Sequence, residues 1–154
     1  IDGEIIDVAP PGSPHAGTVD QLALVLGRAV VGRAHVRVQN PLRLDEHSEP
    51  QPDISVLKLS ADFYKSRHPR ASDALLVVEV ADTSLRYDRD DKIPLYARHL
   101  IPEVWLVDLK AKCLVRYRNP QQGAYASVDH PDLGSALEIA ALPETRVDLS
   151  ALFS

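Results

Sequence analysis

The chain has 154 residues, of which 45% are hydrophobic and 25% charged, so it is long enough to bury a substantial core. Its net charge of −5 counts against binding of nucleic acid through non-specific phosphate contacts, because proteins that work this way are usually basic. That charge does not exclude a site in which clustered carboxylates bind a divalent metal, because the bound cation offsets them.

The location of the protein is indicated by what the sequence lacks. No apolar run approaches the length of a membrane span, and no signal peptide opens the chain. The single cysteine, Cys113, rules out an internal disulfide and fits a reducing compartment. We therefore expect a cytoplasmic protein with one domain over residues 1–154. Because methionine is absent, we also expect a short N-terminal segment to be missing before Ile1.

The first half of the chain predicts a long helix between short strands. Glu4–Val8 has the pattern of a short strand, and a turn rich in proline follows it. From His15 to about Val31 the apolar residues recur at helical spacing, which predicts one amphipathic helix packed on a sheet. The alternating His35–Gln39 and Asp53–Leu59 predict two strands. Pro41–Leu44 either continues the first of them past a bulge or forms a strand of its own.

A buried strand and a second helix are predicted next. Ala74–Val80 is almost continuously apolar, which is typical of a central strand covered on both faces. Ala81–Tyr87 is predicted as a loop. Asp88–Leu100 has helical spacing, but Pro94 fits well only in a first turn, so the start stays open between positions 88 and 91.

The remaining segments predict short strands. Glu103–Leu109 is one, and Leu114–Arg118 follows closely enough to be its hairpin partner. Shorter strands and a terminal turn are expected at Tyr125–Val128, Ala136–Ile139 and Val147–Phe153. Helices alternating with a mixed or mostly antiparallel sheet predict a layered α/β (α+β) domain.

Glu79 is the residue that most suggests chemistry. It lies near the end of the apolar strand, where an unpaired carboxylate is energetically expensive. A proton, a cation of the chain or a metal should therefore neutralise it. The nearby candidates are Asp53, at the head of another strand, and Lys92, one short loop after Glu79.

Two carboxylates and a lysine are a known arrangement for hydrolysing phosphodiesters. The carboxylates hold a hard divalent cation, which polarises the phosphate and activates a water. The lysine stabilises developing negative charge. Asp88 lies four residues before Lys92, so on a helix it would share that face. The alternative interpretation is structural: Asp53 caps a turn, Glu79 forms an ion pair, and the helix start is solvated.

The ordered set of motifs resembles a known family. The segments PQPDISVL, LLVVEVADTS, YDRDDKIPLYA and IPEVWLVDL, with the opening GEIIDVAPPGSPHAGTVDQLALVL and VRVQNPLRL, are similar to the Uma-two family of restriction-endonuclease-like proteins within the PD-(D/E)XK nuclease superfamily. The resemblance covers nearly the whole chain. It implies a restriction-endonuclease-like mixed sheet flanked by a long N-terminal helix and a second short helix.

The resemblance also implies roles for individual residues. Asp53 matches the aspartate of the PD motif and Glu79 the second acid, so both are expected to bind Mg²⁺ or Mn²⁺. The superfamily often places lysine two residues after that acid, where this chain has Ala81. The family's displaced lysine matches Lys92. His15 matches a frequent family position and is expected to touch a phosphate or the metal-bound water, or to serve structurally.

Asp88 matches as a supporting residue.

The function that the resemblance implies is a metal-dependent endonuclease acting on DNA. The resemblance also implies a homodimer or higher homo-oligomer. Two alternatives stay open. One is a nuclease-like fold used as a binding or assembly module with little catalysis, which the acidic charge and Ala81 favour. The other is a carboxylate-pair hydrolase acting on another substrate.

Other residues receive structural interpretations. Trp105 is expected in the core, and Tyr96 is expected to pack on its helix with its hydroxyl in water. Asp108 is expected to end a strand. The histidines other than His15 show no metal-ligand spacing, and Cys113 has no catalytic partner.

Overall fold

One long helix, α1 at Ser13–Ala29, precedes the sheet. The structure is a computed structural model that describes residues 12–154, so the predicted strand Glu4–Val8 lies outside the described residues. The predicted helix is confirmed, shifted slightly toward the N-terminus. Pro14 sits in its first turn, where the missing N–H has no intrahelical acceptor to lose. After the last turn the chain reverses through Gly32, whose φ of +75° suits glycine.

A six-stranded mixed sheet forms the centre of the fold. Its order is β1-β2-β3-β4-β5-β6. Every neighbouring pair is antiparallel except β3 and β4, which are parallel because a helix connects them across one face. The strands predicted in this part of the chain are confirmed, with Asp108 ending its strand. They are β1 Ala34–Val38, β2 Ile54–Lys58, β3 Ala74–Ala81, β4 Glu103–Asp108, β5 Cys113–Gln121 and β6 Ala124–Asp129.

A separate hairpin follows the sheet. Strands β7 (Leu137–Ile139) and β8 (Leu142–Val147) pair antiparallel. The expected short strand Ala136–Ile139 is confirmed. The terminal turn expected within Val147–Phe153 is confirmed: β8 ends at Val147, and the Asp148 carboxylate then accepts a hydrogen bond from the Ser150 N–H, a local bond that competes with strand pairing.

The segment Pro41–Leu44 does not form the expected strand. Arg43 makes only an isolated parallel bridge to Arg70. Leu42 and Leu44 are nevertheless buried, and their N–H groups donate to the carbonyls of Pro50 and Ser48. The alternation of this segment therefore reflects a buried loop that folds back on itself.

The second helix, α2, has three consecutive segments. Leu85–Tyr87 is α-helical, Asp88–Lys92 is a π-helical turn, and Ile93–Arg98 is α-helical again. The loop predicted for Ala81–Tyr87 is therefore wrong over its last three residues. Pro94 explains the irregularity, since it cannot donate the i→i−4 bond of an α-helix and its ring would clash with the preceding turn.

The two faces of the sheet carry separate cores. Val19, Leu22 and Leu26 of α1 pack on one face, together with Val78 and Trp105. The expectation that Trp105 lies in the core is confirmed.

The other face is covered by α2, whose Leu95, Tyr96 and Ala97 pack on Val77 and Val104. All of β3 is buried, as its apolar run predicts. Glu79 alternates with Val78 and therefore faces α2. No helix in residues 12–154 is long and apolar enough to cross a membrane.

Candidate active site

Parts of four secondary-structure elements meet where β2 begins and β3 ends. Because β2 runs antiparallel to β3, with Ile54 opposite Val78, the residue before β2 comes next to the end of β3. This register places Asp53 beside Glu79. The start of α1 brings His15 to Asp53, and the first half of α2 brings Lys92 to Glu79. The four residues predicted for the site are therefore all found there.

Asp53 is fixed by backbone and side-chain donors. Its Oδ2 accepts a hydrogen bond from the Val80 N–H at 2.8 Å and one from His15 Nε2 at 3.2 Å. Within residues 12–154, its Oδ1 accepts only a long hydrogen bond, from Gln39 Nε2 at 3.4 Å. Since the carboxylate accepts, His15 donates through Nε2. One oxygen of Asp53 is thus strongly held, whereas the other is nearly available.

Glu79 is buried and has two partners. It is 1% exposed. Lys92 Nζ donates to Oε2 at 2.9 Å, and the Tyr96 hydroxyl donates to Oε1 at 2.9 Å. Burial raises the pKa of Glu79 to about 7, because desolvation outweighs the attraction of the Lys92 ammonium. The carboxylates of Asp53 and Asp88 raise this pKa further, which indicates that negative charge is concentrated here.

Lys92 bridges two acids. Its ammonium lies 2.9 Å from Glu79 and 3.5 Å from Asp88 Oδ1. Burial acts to lower the pKa of Lys92, but the carboxylates of Glu79 and Asp88 outweigh it and raise that pKa. Asp88 is itself buried, which raises its pKa, and it accepts a hydrogen bond from the Ser84 hydroxyl at 2.9 Å. Asp88 therefore has the supporting position that the resemblance implied.

The donor set fits a hard divalent cation in its chemistry. Asp53, Glu79 and Asp88 supply carboxylate oxygens, the ligands that Mg²⁺ and Mn²⁺ prefer. One ammonium does not balance three carboxylates. Within residues 12–154, however, no three His, Cys, Asp or Glu side chains are arranged as a metal-binding group. Two carboxylates are therefore the most that this arrangement offers, and water and substrate would supply the other ligands.

Tyr96 is a site residue that the sequence did not indicate. Its hydroxyl was expected in water, but the side chain is fully buried and the hydroxyl donates to Glu79. Burial raises the pKa of Tyr96, as does the neighbouring Glu79 carboxylate, so the phenol stays a donor. A signal was available: Tyr96 lies four residues after Lys92, which places both on one helix face.

Replacing Tyr96 by phenylalanine tests this support. We expect Tyr96→Phe to lower the free energy of unfolding at pH 8 in EDTA by about 2 kcal/mol, because a buried carboxylate loses a donor. Urea denaturation measures the change. Tyr117→Phe is the matched control, since no hydrogen bond of the Tyr117 hydroxyl is found in the part of the chain that the structure describes. Equal stability of Tyr96→Phe and wild type would contradict the role.

The superfamily's usual lysine position is occupied by a small apolar residue. Ala81 is buried at the end of β3, opposite Asp108 of β4. A side chain there contributes no charge to the cluster. Lys92 instead reaches Glu79 from α2, so the ammonium approaches from the helix.

A mixed sheet with helices on both faces, with acids and a lysine at the ends of its central strands, is the arrangement expected of a restriction-endonuclease-like protein. A family model agrees: the Uma2 (Uma-two) family, described as "Putative restriction endonuclease", matches residues 1–150. The chain therefore belongs to the Uma2 family. Among curated proteins, none matches the chain.

Solved structures share the fold. The crystal structure of a "putative nuclease belonging to DUF820" from Anabaena variabilis is 18% identical, with a TM-score of 0.77, over 99% of this chain and 87% of that one. The type IIG restriction endonuclease BpuSI is 13% identical, with a TM-score of 0.50. The match covers 98% of this chain but only 17% of BpuSI, so the chain corresponds to a small part of that enzyme.

Proposed function

We propose that this protein is a divalent-metal-dependent endonuclease that hydrolyses phosphodiester bonds of DNA. The observation that carries the proposal is the convergence of Asp53, Glu79 and Lys92 where β2 begins and β3 ends, with Lys92 Nζ 2.9 Å from Glu79. Membership of the Uma2 family supports it. We also propose that residues 1–154 form a single domain.

Asp53 and Glu79 are the residues proposed to hold Mg²⁺ or Mn²⁺. Asp53 offers Oδ1, whose only contact within residues 12–154 is long. Glu79 would exchange a hydrogen-bond donor for the cation. When bound, the metal would polarise the phosphate and lower the pKa of a water. The excess of negative charge around Glu79 favours binding of a cation, because in the part of the chain that the structure describes the buried carboxylate is otherwise stabilised by Lys92 and Tyr96 alone.

Lys92 would stabilise charge on the phosphate, and His15 would accept a proton from the attacking water or contact the phosphate. Lys92 is held by Glu79 and Asp88, so its ammonium is positioned before substrate arrives, and it would stabilise the negative charge that develops on the phosphate. His15 is hydrogen-bonded to Asp53 through Nε2, while its Nδ1 is buried without a hydrogen-bond partner. That nitrogen carries a lone pair and is available to accept a proton from a water. Once protonated, it would donate a hydrogen bond to a phosphate oxygen.

The proposal is tested by removing the metal. We expect the purified protein to cleave supercoiled plasmid DNA with added Mg²⁺ or Mn²⁺ and to stop cleaving in EDTA, because the carboxylates alone do not activate a water. Gel electrophoresis over time gives the rate. Re-adding excess Mg²⁺ after EDTA is the control and should restore cleavage. Cleavage that persists unchanged in EDTA would contradict the proposal.

One observation favours a second function, a binding or assembly module with little catalysis. Both carboxylate oxygens of Glu79 already accept hydrogen bonds, from Lys92 and Tyr96, so the cluster is partly satisfied without a cation. This function predicts no metal affinity above background. Titration calorimetry decides between the two: binding of Mn²⁺ that is lost in Glu79→Gln would count against the module.

A homo-oligomer is also proposed. Strands β1 and β6 are the edges of the six-stranded sheet, and unpaired strand edges can join to another copy. Val38 of β1 and Val128 of β6 are exposed, at 38% and 54%. Sedimentation equilibrium measures the mass directly, and a monomer at all concentrations would refute this part.

A further inference from the structure

Tyr87 carries a buried hydroxyl for which residues 12–154 supply no hydrogen-bond partner. The residue ends the first α-helical segment of α2, directly before the π-helical turn. Its phenolic oxygen is buried and has no hydrogen-bond partner in the described structure. Native proteins seldom leave such a group unpaired, because it has given up its hydrogen bonds to water. An unpaired hydroxyl at this place is therefore suited to donate a hydrogen bond to a bound ligand.

The π-helical turn brings the Tyr87 ring to Lys92, the ammonium of the acid cluster. In an α-helix, residues five positions apart diverge by about 140°. Across the π-helical turn the bonding shifts to i→i+5, and the Ile93 N–H donates to the Asp88 carbonyl. Tyr87 and Lys92 consequently share one face, with Lys92 Nζ 5.7 Å from the centre of the Tyr87 ring. The irregular turn thus aligns a phenol with the ammonium proposed to contact phosphate.

The electrostatic surroundings keep the phenol protonated. Burial raises the pKa of Tyr87, the Lys92 ammonium lowers it, and the carboxylates of Asp91, Asp88 and Glu79 raise it again. The net direction is upward, so the hydroxyl carries its proton at neutral pH. The natural complement of a neutral donor beside an ammonium is an anionic acceptor.

A second unpaired group in the described structure belongs to His15, which contacts Asp53. His15 Nδ1 is buried without a partner while Nε2 donates to Asp53. Only three buried, unpartnered side-chain polar atoms occur in residues 12–154, and two of them belong to Tyr87 and His15. Unsatisfied groups therefore concentrate where the proposed function places the substrate.

We propose that the Tyr87 hydroxyl donates a hydrogen bond to a non-bridging oxygen of the DNA phosphate that is cleaved, next to Lys92. This inference rests on the proposed endonuclease function and adds a substrate-contacting residue to it. The contact forms with a phosphodiester oxygen, so it is independent of base sequence.

Tyr87→Phe removes the hydroxyl and keeps the ring. We expect kcat/KM for a DNA duplex with Mg²⁺ to fall about 10- to 100-fold, as for loss of a hydrogen bond to a charged group. Binding of a fluorescent duplex in EDTA, followed by anisotropy, is expected to weaken as well. The melting temperature should stay the same or rise, because the folded protein loses no hydrogen bond.

Tyr125→Phe is the matched control. Its buried hydroxyl donates to the Ile101 carbonyl, away from the acid cluster. This variant is expected to show the opposite pattern, with a lower melting temperature and an unchanged kcat/KM. Once the cleavage position is mapped, a stereopure phosphorothioate there supplies a second test: with one of the two diastereomers the effect of Tyr87→Phe should shrink, because the sulfur accepts poorly.

The outcomes separate two failures. If the wild type cleaves DNA and Tyr87→Phe does so at the same kcat/KM, this inference is wrong and the proposed function stands. If Tyr87→Phe lowers the melting temperature as well as kcat/KM, Tyr87 is structural and the inference is also wrong. If the wild type does not cleave with any divalent metal, the proposed function itself has failed and the inference falls with it.

Discussion

Asp53→Asn is expected to reduce Mg²⁺-dependent DNA cleavage about a thousandfold or more, to the level of the background. Removing one negative charge weakens binding of the metal ion, and that ion stabilises the transition state by several kcal/mol. Asparagine retains an oxygen that can accept from the Val80 N–H, the bond that Asp53 makes at 2.8 Å. The variant therefore isolates the charge, and single-turnover cleavage measures the loss.

Asp73, a carboxylate that like Asp53 directly precedes a strand, provides the control. Asp73 directly precedes β3, whereas Glu79 lies near its end, and Asp73 accepts from Arg67 and from the Arg70 N–H. Asp73→Asn should cleave at the wild-type rate even if it is less stable. Equal rates for wild type and both Asp53→Asn and Asp53→Ala would remove the proposed nuclease.

Lys92→Met is expected to give the largest change in stability. At pH 8 in EDTA the free energy of unfolding should fall by about 3–5 kcal/mol, because the buried Glu79 carboxylate loses its positive partner. Urea denaturation measures this fall. The exposed Lys110 in the β4–β5 turn supplies the control, since Lys110→Met should change the stability by less than about 0.5 kcal/mol.

The effect of Lys92→Met should depend on pH in a defined direction. The pKa of Glu79 is raised in the folded protein from 4.5 to about 7, so between these values the folded state binds more protons than the unfolded state. The free energy of unfolding of the metal-free protein therefore falls as the pH rises through this window. Without Lys92 the pKa rises further, so the difference from wild type is small near pH 5 and grows toward pH 8.

Glu79→Gln tests whether this dependence belongs to Glu79. The variant should lose most of the decline between pH 5 and pH 7, and Lys92→Met should be much less destabilising in its background, since the two residues interact directly. A Lys92→Met penalty that is the same at pH 5 and pH 8 would show that the pair is not held by the charge on Glu79.

The central part of the site was predictable because burial of charge leaves a trace in sequence. Glu79 interrupts an apolar run, which required a partner, and Lys92 was the cation within reach. The strand order could not be worked out from that pattern, yet the register between β2 and β3 is what places Asp53 beside Glu79. The roles assigned to Asp53, Glu79, Lys92 and His15 stay predictions until cleavage is measured.

The sequence missed two features of the site, the role of Tyr96 and the helical position of Tyr87. Tyr96 has a helical position compatible with either core or solvent, and only the buried Glu79 opposite it determines that its hydroxyl is a donor. Tyr87 was predicted in a loop, and Pro94 left the start of the helix open between positions 88 and 91, yet the helix already includes Tyr87. Helical periodicity assumes a constant number of residues per turn, so it does not anticipate a π-helical turn.

The geometry of the candidate site makes the proposed activity depend on completion of the polypeptide's folding. Its members come from the beginning of α1, the head of β2, the end of β3 and the first half of α2, and no two neighbouring segments contain the whole set. Contacts between such distant segments form only after long loops have closed, which makes them slow and mutually dependent. A nascent or partly opened chain would thus hold these residues apart, and only the finished topology would bring the proposed site together.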